Sequence, residues 1–162
     1  METYIKEFLE ENHIPYTLYT HPAVFTCEQA DRHCKHVPGT ATKNLFLKED
    51  KGTQLFLVIL PTSKKLNMNT LTPLLQVKKL KFASETQLKE ILGLTPGSVS
   101  ILGLINDKEK KIQLIIDKEL WDAETLINCH PNINTESLVF KQQDFHKLAK
   151  ILCKNIIISR ME

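Results

Sequence analysis

Residues 43–61 read KNLFLKEDKGTQLFLVILP, two apolar runs separated by a short polar segment. The runs extend from Lys43 to Lys48 and from Gln54 to Leu60, and the segment Glu49-Asp50-Lys51-Gly52 joins them. Apolar runs of this length on either side of a turn are typical of a β-hairpin. Pro61 has no backbone N–H to donate, so we expect the second strand to end there.

Working outward from this hairpin, helices are predicted wherever apolar residues recur at helical spacing or a capping residue precedes them. Thr26 and Ser84 each stand three residues before a glutamine, which is the spacing of a capping box. Asn67 is a further candidate cap. The predicted helical segments are residues 3–12, 26–35, 67–75, 84–93 and 145–152.

The remaining apolar segments predict strands. Pro15 favours an edge position for the first of them, and Asn106-Asp107 is expected to turn the chain between the second and the third. The segments are residues 14–19, 99–105, 111–117, 124–128, 136–140 and 155–159. Strands outnumber helices and most neighbours look antiparallel. We therefore expect one α+β domain spanning residues 1–162, with a mixed, mostly antiparallel sheet flanked by helices.

Composition and charge narrow the class of protein. The chain has 162 residues, 42% of them hydrophobic and 25% charged, which is ordinary for a soluble globular domain. No apolar run reaches the roughly 18 residues of a membrane span. The N-terminal segment is too acidic for a secretory signal, so we expect a cytoplasmic protein without membrane contact. Nucleotide-binding glycine motifs are absent from the sequence.

The formal charge of +2 is too small to predict nucleic-acid binding by itself, but the lysines are unevenly placed. An 18-residue stretch without acids contains Lys64, Lys65, Lys78, Lys79 and Lys81. Such a cluster suits phosphate contacts, although a solvated basic face would look the same. Only two of the 21 cations are arginines, so reading of individual bases is not favoured.

The four cysteines do not predict a metal site or disulfides. Cys27 and Cys34 are seven residues apart, with His33 and His36 close by, but the tight C-x2-C pairs of structural zinc sites are missing. We expect reduced thiols, no bound metal and no cofactor. Cys129 beside His130 could suggest a thiol nucleophile, but neighbouring side chains on a strand point to opposite faces.

Candidate functional residues stand at the ends of predicted strands and helices, where loops present reactive groups on a rigid scaffold. Lys43 opens a strand and could be a desolvated cation or a surface lysine with a buried stem. Asn44 could bind a substrate or the backbone. The amides of Gly97 and Ser98 could face a carbonyl or phosphate, or form a plain turn. His21 and His130 could be bases, ligand donors or structural histidines.

Taken together, these segments resemble the YbaK and prolyl-tRNA-synthetase-associated editing domains along the whole chain. Within that family, the sequence is similar to the free-standing Ala-tRNA(Pro) deacylases, known as ProXp-ala or PrdX. The stretches that carry the resemblance are His21-Pro22-Ala23-Val24-Phe25-Thr26, Lys43-Asn44-Leu45-Phe46-Leu47, Pro96-Gly97-Ser98-Val99 and His130-Pro131 with Asn134-Thr135. Ile101 departs from the proline of many relatives, which leaves open the shape of the pocket and the choice of amino acid.

The resemblance implies a barrel-like, YbaK-like fold and hydrolysis of alanine mischarged on tRNA(Pro). Lys43 would be the essential lysine, while Asn44, His130 and His21 would line the site. The backbone at Gly97-Ser98 would polarise the ester carbonyl, and a water assisted by the terminal tRNA hydroxyl would attack. The lysine cluster would contact the acceptor stem. Partners would be the mischarged tRNA(Pro) and prolyl-tRNA synthetase, with the protein itself a monomer.

Three alternatives stay open on the sequence. The chain could deacylate another ester, such as Cys-tRNA(Pro) or a seryl-tRNA. It could be a non-catalytic module that binds tRNA or a synthetase through its lysines. It could also be a thiol or metal protein that uses Cys27 and Cys34.

Overall fold

A computed structural model describes residues 1–161, apart from the side chain of Cys27, and shows one sheet with helices packed around it. The strands are β1 (Thr17–Thr20), β2 (Thr40–Glu49), β3 (Leu55–Pro61), β4 (Leu80–Phe82), β5 (Ile112–Asp117), β6 (Ile127–Cys129), β7 (Glu136–Phe140) and β8 (Ile157–Ser159). The helices are α1 (Thr3–Glu11), α2 (Cys27–His33), α3 (Met68–Leu75), α4 (Glu85–Gln87), α5 (Lys118–Asp122) and α6 (Gln142–Leu152). A π-helix at Leu88–Leu92 continues α4, and a 3-10 helix covers Ile101–Asn106.

The sheet is mixed, with strands in the order β1-β7-β6-β2-β3-β5-β8, and β4 adds to the far end of β2. Antiparallel pairs join β1 to β7, β6 to β7, β2 to β3 and β2 to β4. Parallel pairs join β2 to β6, β3 to β5 and β5 to β8. The expected α+β class is confirmed. The path of paired strands does not return on itself, so the sheet is open and the barrel-like closure is not found.

Strand β3 lies at the centre of the fold and is buried on both faces. Leu57 and Ile59 belong to a large core that also contains the apolar faces of α1 and α6. Val58 and Leu60 belong to a second, smaller core beneath α3. Because successive strand residues point to opposite faces, a continuous apolar run serves both cores. The two cores together fix the position of β3 and, through strand pairing, that of its neighbour β2.

Most predicted elements are confirmed, the central hairpin among them, with Lys43 opposite Leu60 and Lys48 opposite Leu55. Ser84 forms the expected capping box with Gln87, and Asn67 caps α3. Helix α2 ends at His33, two residues earlier than expected. Within residues 1–161, no helix has both the length and the apolar character needed to cross a bilayer.

The predicted strand at residues 99–105 is wrong, because the chain forms a 3-10 helix there. The hydroxyl of Ser100 accepts the N–H of Leu102 at 3.1 Å and starts the helix. An apolar run without alternation is compatible with either a buried strand or a buried helix, and the serine cap favours the helix. Strand β4 and helix α5 were not predicted, since three and five residues are too few to establish a period.

Candidate active site

The parallel pairing of β2 with β6 brings distant parts of the sequence together. Thr40 lies opposite Ile127 and Ala41 opposite Asn128, and the hydroxyl of Thr42 donates to the carbonyl oxygen of Asn128 at 2.8 Å. Beside this junction is a cavity of about 170 Å³. Its wall is formed by Val24, Phe25, Thr26, Ala30, Thr42, Lys43, Asn44, Thr62, Gly97, Val99 and His130. Four of the predicted site residues therefore meet in one place.

Lys43 and Asn44 reach this cavity from the beginning of β2, and both are partly buried. Within residues 1–161, the ammonium group of Lys43 forms no ion pair, so its charge is available to an anionic ligand. The Oδ1 atom of Asn44 is buried and has no hydrogen-bond partner. A buried acceptor without a partner is costly, and such groups are uncommon in folded proteins. This one lies in a residue that lines the cavity.

Gly97 lies on the cavity wall in a loop that precedes the 3-10 helix. Its φ of +86° belongs to the left-handed region, which glycine adopts without strain. The N–H of Gly97 has no acceptor among residues 1–161. The neighbouring Ser98 is buried but is not part of the wall, and its N–H donates to the carbonyl oxygen of Thr95 at 3.1 Å. Of the two amides considered for an ester carbonyl, only that of Gly97 is unused.

His130 follows β6 and lines the cavity, whereas His21 is buried and is not part of the wall. Their ring centroids are 6.2 Å apart. Nδ1 of His21 lies 2.9 Å from the carbonyl oxygen of Pro22, and its Nε2 lies 2.9 Å from the hydroxyl of Ser137. Because both nitrogens of His21 are occupied by protein groups, His21 supports the site rather than lining it. The hydroxyl of Ser100 donates to the carbonyl oxygen of His130 and anchors that residue.

Burial lowers the pKa of His130, with a further lowering by the nearby His21 and a partial offset from a hydrogen bond to the Glu136 carbonyl. The ring is therefore neutral near pH 7, and a neutral imidazole can accept a hydrogen bond at Nε2. The cavity thus combines one cation, one unpaired amide acceptor, one free backbone donor and one neutral imidazole. Such a set can hold an ester and a water molecule beside a phosphate or ribose.

Residues 21–148 match the sequence profile of the family described as "Aminoacyl-tRNA editing domain". The chain belongs to this family. The resemblance inferred from the motifs is thereby confirmed, and the match includes all the residues of the cavity wall of this editing domain.

Similar proteins extend the comparison over most of the editing domain. It is 35% identical over 142 residues to "Prolyl-tRNA editing protein ProX" of Acetoanaerobium sticklandii, covering 88% of this chain and 86% of that protein. It is 37% identical over 135 residues to "Prolyl-tRNA synthetase associated domain-containing protein 1" of Danio rerio, covering 83% and 73%. A solved structure of a proposed trans-editing enzyme for prolyl tRNA synthetase superimposes with a TM-score of 0.73 at 15% identity, covering 100% and 98%. This last likeness concerns the fold.

The three cysteines whose side chains the structure describes, Cys34, Cys129 and Cys153, are free thiols. Burial raises the pKa of the Cys129 thiol to about 12, which keeps it protonated at neutral pH. Burial also raises the pKa of Cys34, which lines a second cavity of about 270 Å³ beside the first. Among the described side chains, no three His, Cys, Asp or Glu residues gather closely enough to hold a metal ion. The side chain of Cys27 lies outside the described part of the structure.

The five clustered lysines do not surround the candidate cavity of the editing domain. The Nζ atom of Lys64 lies 2.8 Å from Asp117 Oδ2 and 2.6 Å from Glu119 Oε2. Desolvation lowers the pKa of Lys64, but hydrogen bonds and charge from these two carboxylates outweigh it and raise the pKa. Lys81 pairs with Asp50 at 3.4 Å. The remaining three lysines, Lys65, Lys78 and Lys79, form no ion pair within residues 1–161.

Seven wall residues were not predicted as site residues from the sequence, namely Val24, Phe25, Thr26, Ala30, Thr42, Thr62 and Val99. Some of these residues belong to a recognisable motif, because the segment leading to Thr26 stood out in the sequence. Thr42 and Thr62 flank the hairpin and belong to no recognisable pattern. Ile101, the departure from relatives, is fully buried in the large core and does not line the cavity. Its side chain therefore does not shape this wall directly.

Proposed function

We propose that this chain hydrolyses the ester that links alanine to tRNA(Pro). The observation that carries the proposal is the meeting of Lys43, Asn44, Gly97 and His130 around one small cavity. Membership of the aminoacyl-tRNA editing family and the likeness to a prolyl-tRNA editing protein support the choice of substrate.

A physical need explains why such an enzyme is useful. A synthetase pocket that accepts proline cannot exclude the smaller alanine by size, because missing methylene groups change binding by only about 1–3 kcal/mol. A second site that is too small for proline but admits alanine removes the error. In the cavity of about 170 Å³, Val24 and Val99 are among the apolar walls that the side chain of a bound amino acid would meet.

The chemistry requires no nucleophilic side chain. A water molecule attacks the ester carbonyl carbon, the bond from that carbon to the ribose oxygen breaks, and the oxygen leaves as the tRNA hydroxyl after taking a proton. Lys43 holds the terminal phosphate or ribose and orients the ester. The free N–H of Gly97 donates to the developing oxyanion, which is a large contribution in comparable sites.

Asn44 and His130 would position the reactants. The unpaired Oδ1 of Asn44 can accept a hydrogen bond from the α-ammonium group of the amino acid. The neutral ring of His130 can accept one from the attacking water or from the terminal ribose hydroxyl. With the hydroxyl of the tRNA itself nearby, the substrate supplies part of the proton transfer. Within the five-lysine cluster, Lys65, Lys78 and Lys79 form no ion pair among residues 1–161 and are available to the phosphates of the acceptor stem.

The decisive experiment compares Lys43→Ala with Lys48→Ala, a lysine of the same strand that does not line the cavity. Purified proteins are incubated with Ala-tRNA(Pro), Pro-tRNA(Pro), Cys-tRNA(Pro) and a seryl-tRNA. Wild type and Lys48→Ala are expected to release alanine and spare proline, whereas Lys43→Ala loses at least about 100-fold in rate. Wild-type turnover by Lys43→Ala would refute the role of Lys43.

The substrate panel tests the rest of the proposal. Release of cysteine or serine in place of alanine would keep the reaction and change the substrate. Tight binding of tRNA without cleavage of any ester would make the chain a binding module.

A further inference from the structure

Phe25 is the most exposed large hydrophobic side chain of the described residues, with 69% of its surface accessible. The others are Leu18, Leu74, Phe82 and Leu126, none of which lines the candidate cavity. Phe25 does line it, beside Lys43 and Gly97. Single exposed apolar side chains are common on protein surfaces, but a ring that also lines a cavity stands where a bound ligand can cover it.

The backbone around Phe25 is fixed on both sides. Its N–H donates to the side-chain oxygen of Gln29 at 2.8 Å, and the hydroxyl of Thr26 accepts the N–H of Gln29 at 3.1 Å. The preceding Val24 donates its N–H to the carbonyl oxygen of Asn134 at 3.1 Å. The start of α2 therefore holds the ring at the edge of the cavity while most of the ring surface stays open to solvent.

The loop at Gly97 adjoins the ring. A Cβ atom built on Gly97 would lie 3.8 Å from Cδ1 of Phe25, which is an ordinary contact distance. No aromatic ring among residues 1–161 is paired with Phe25. The ring thus lies beside the Gly97 loop without an aromatic partner, so its surface is free to stack as aromatic rings do in single-stranded nucleic-acid sites.

We propose that Phe25 stacks against the 3′-terminal base of the bound tRNA. This inference rests on the proposed function, because the ester hydrolysed in the cavity is attached to the ribose that carries this base. A phenyl ring has no polar group, so stacking and apolar contact are the interactions it can offer. Phe25 would bind the base of the terminal nucleotide while Lys43 binds its phosphate or ribose. The attached amino acid would then lie inside the cavity.

The alternative is that Phe25 is a wall of the amino-acid pocket. Both roles weaken the enzyme when the ring is removed, but only stacking makes the loss depend on the base. The test therefore uses two acceptor-stem minihelices of tRNA(Pro) carrying alanine through a non-hydrolysable amide. One ends in the normal terminal adenosine, and the other has the same ribose without a base. Binding is measured by fluorescence anisotropy for wild type, Phe25→Ala, Phe25→Trp and Phe82→Ala.

Phe82 provides the matched control, since it is an equally apolar ring, 59% exposed, in β4 and away from the cavity. Phe25→Ala is expected to bind the intact probe roughly 5- to 140-fold more weakly than wild type, the range measured for loss of one base stack. Phe25→Trp keeps the affinity, and Phe82→Ala behaves as wild type. Wild type should lose a similar factor when the base is removed, whereas Phe25→Ala should lose little more.

An equal effect of Phe25→Ala on both probes would overturn the proposal and assign Phe25 to the amino-acid pocket. Unchanged binding of the intact probe would also overturn it and would show that Phe25 has neither role. Because the amide cannot be hydrolysed, the test is separate from the test of the proposed function. Base-dependent binding without deacylation of Ala-tRNA(Pro) would leave the stacking role standing while the proposed reaction fails. Deacylation of Ala-tRNA(Pro) with base-independent binding would support the proposed reaction and refute the stacking role of Phe25.

Discussion

Nδ1 of His130 lies 3.1 Å from the carbonyl oxygen of Glu136. A carbonyl oxygen only accepts hydrogen bonds, so Nδ1 carries the proton and Nε2 is left as the acceptor of the neutral ring. The relationship joins the end of β6 to the start of β7 and fixes the tautomer of the one histidine that lines the cavity.

The same buried position makes folding sensitive to pH. Burial lowers the pKa of His130 in the folded protein below its ordinary value of 6.5. As the pH falls below 6.5, His130 takes up a proton in the unfolded chain before it does so in the folded protein, which favours unfolding. The stability that the neutral, buried His130 contributes is therefore complete above pH 6.5 and declines as the pH falls towards the folded pKa. We expect wild type to lose more stability than His130→Gln between about pH 7.5 and about pH 5.5 in urea unfolding. Equal losses would contradict this assignment.

Replacing Asn44 should separate stability from activity. Its buried Oδ1 has no partner, and removing such a group relieves a desolvation cost. Asn44→Leu, which is similar in shape, is expected to raise the free energy of unfolding by about 1 kcal/mol and to abolish deacylation. Chemical denaturation and ester hydrolysis are measured on the same preparation. A variant that is both less stable and fully active would show that Asn44 is a structural residue.

Two glycines with positive φ should differ in their tolerance of alanine. At Gly97, with φ +86°, no atom except Phe25 Cδ1 approaches a built Cβ, so the cost is backbone strain of about 1–2 kcal/mol. At Gly39, with φ +93°, the Cβ would lie 2.5 Å from the carbonyl oxygen of Leu126. That oxygen accepts the N–H of Thr40 at 2.8 Å, so Gly39→Ala must also part β2 from the segment before β6. We expect Gly39→Ala to lower the thermal midpoint more, and the opposite order would contradict the steric argument.

Lys64 should behave as a structural lysine. Asp117 is completely buried and pairs with Lys64, so removing the cation leaves an uncompensated buried carboxylate. Lys64→Ala is expected to cost about 2–4 kcal/mol of unfolding free energy, whereas the exposed Lys65→Ala stays within about 0.5 kcal/mol. Urea denaturation of the two variants decides between this role and a purely RNA-binding one, in which neither would be destabilised.

The central hairpin and the terminal helices were predictable from the sequence because their apolar patterns extend over many residues. It failed at residues 101–106, where an unbroken apolar run carries no period and the Ser100 cap selects the 3-10 helix. Lys43, Asn44, Gly97 and His130 were found through motifs, yet their meeting depends on the short pairing of β2 with β6. Such non-local pairing leaves no pattern in the sequence. The ion pair of Lys64 with Asp117 and the exposure of Phe25 were likewise visible only in three dimensions.

The pairing of β2 with β6 has a consequence for synthesis on the ribosome. Lys43 and His130 are roughly 90 residues apart, and at translation rates of about 5–20 residues per second the second emerges roughly 4 to 18 s after the first. During that interval the hairpin of β2 and β3 can form, but the wall that carries His130 does not yet exist. The complete cavity therefore forms only after β6 has been synthesised, and a prematurely terminated chain that lacks β6 would have no wall carrying His130.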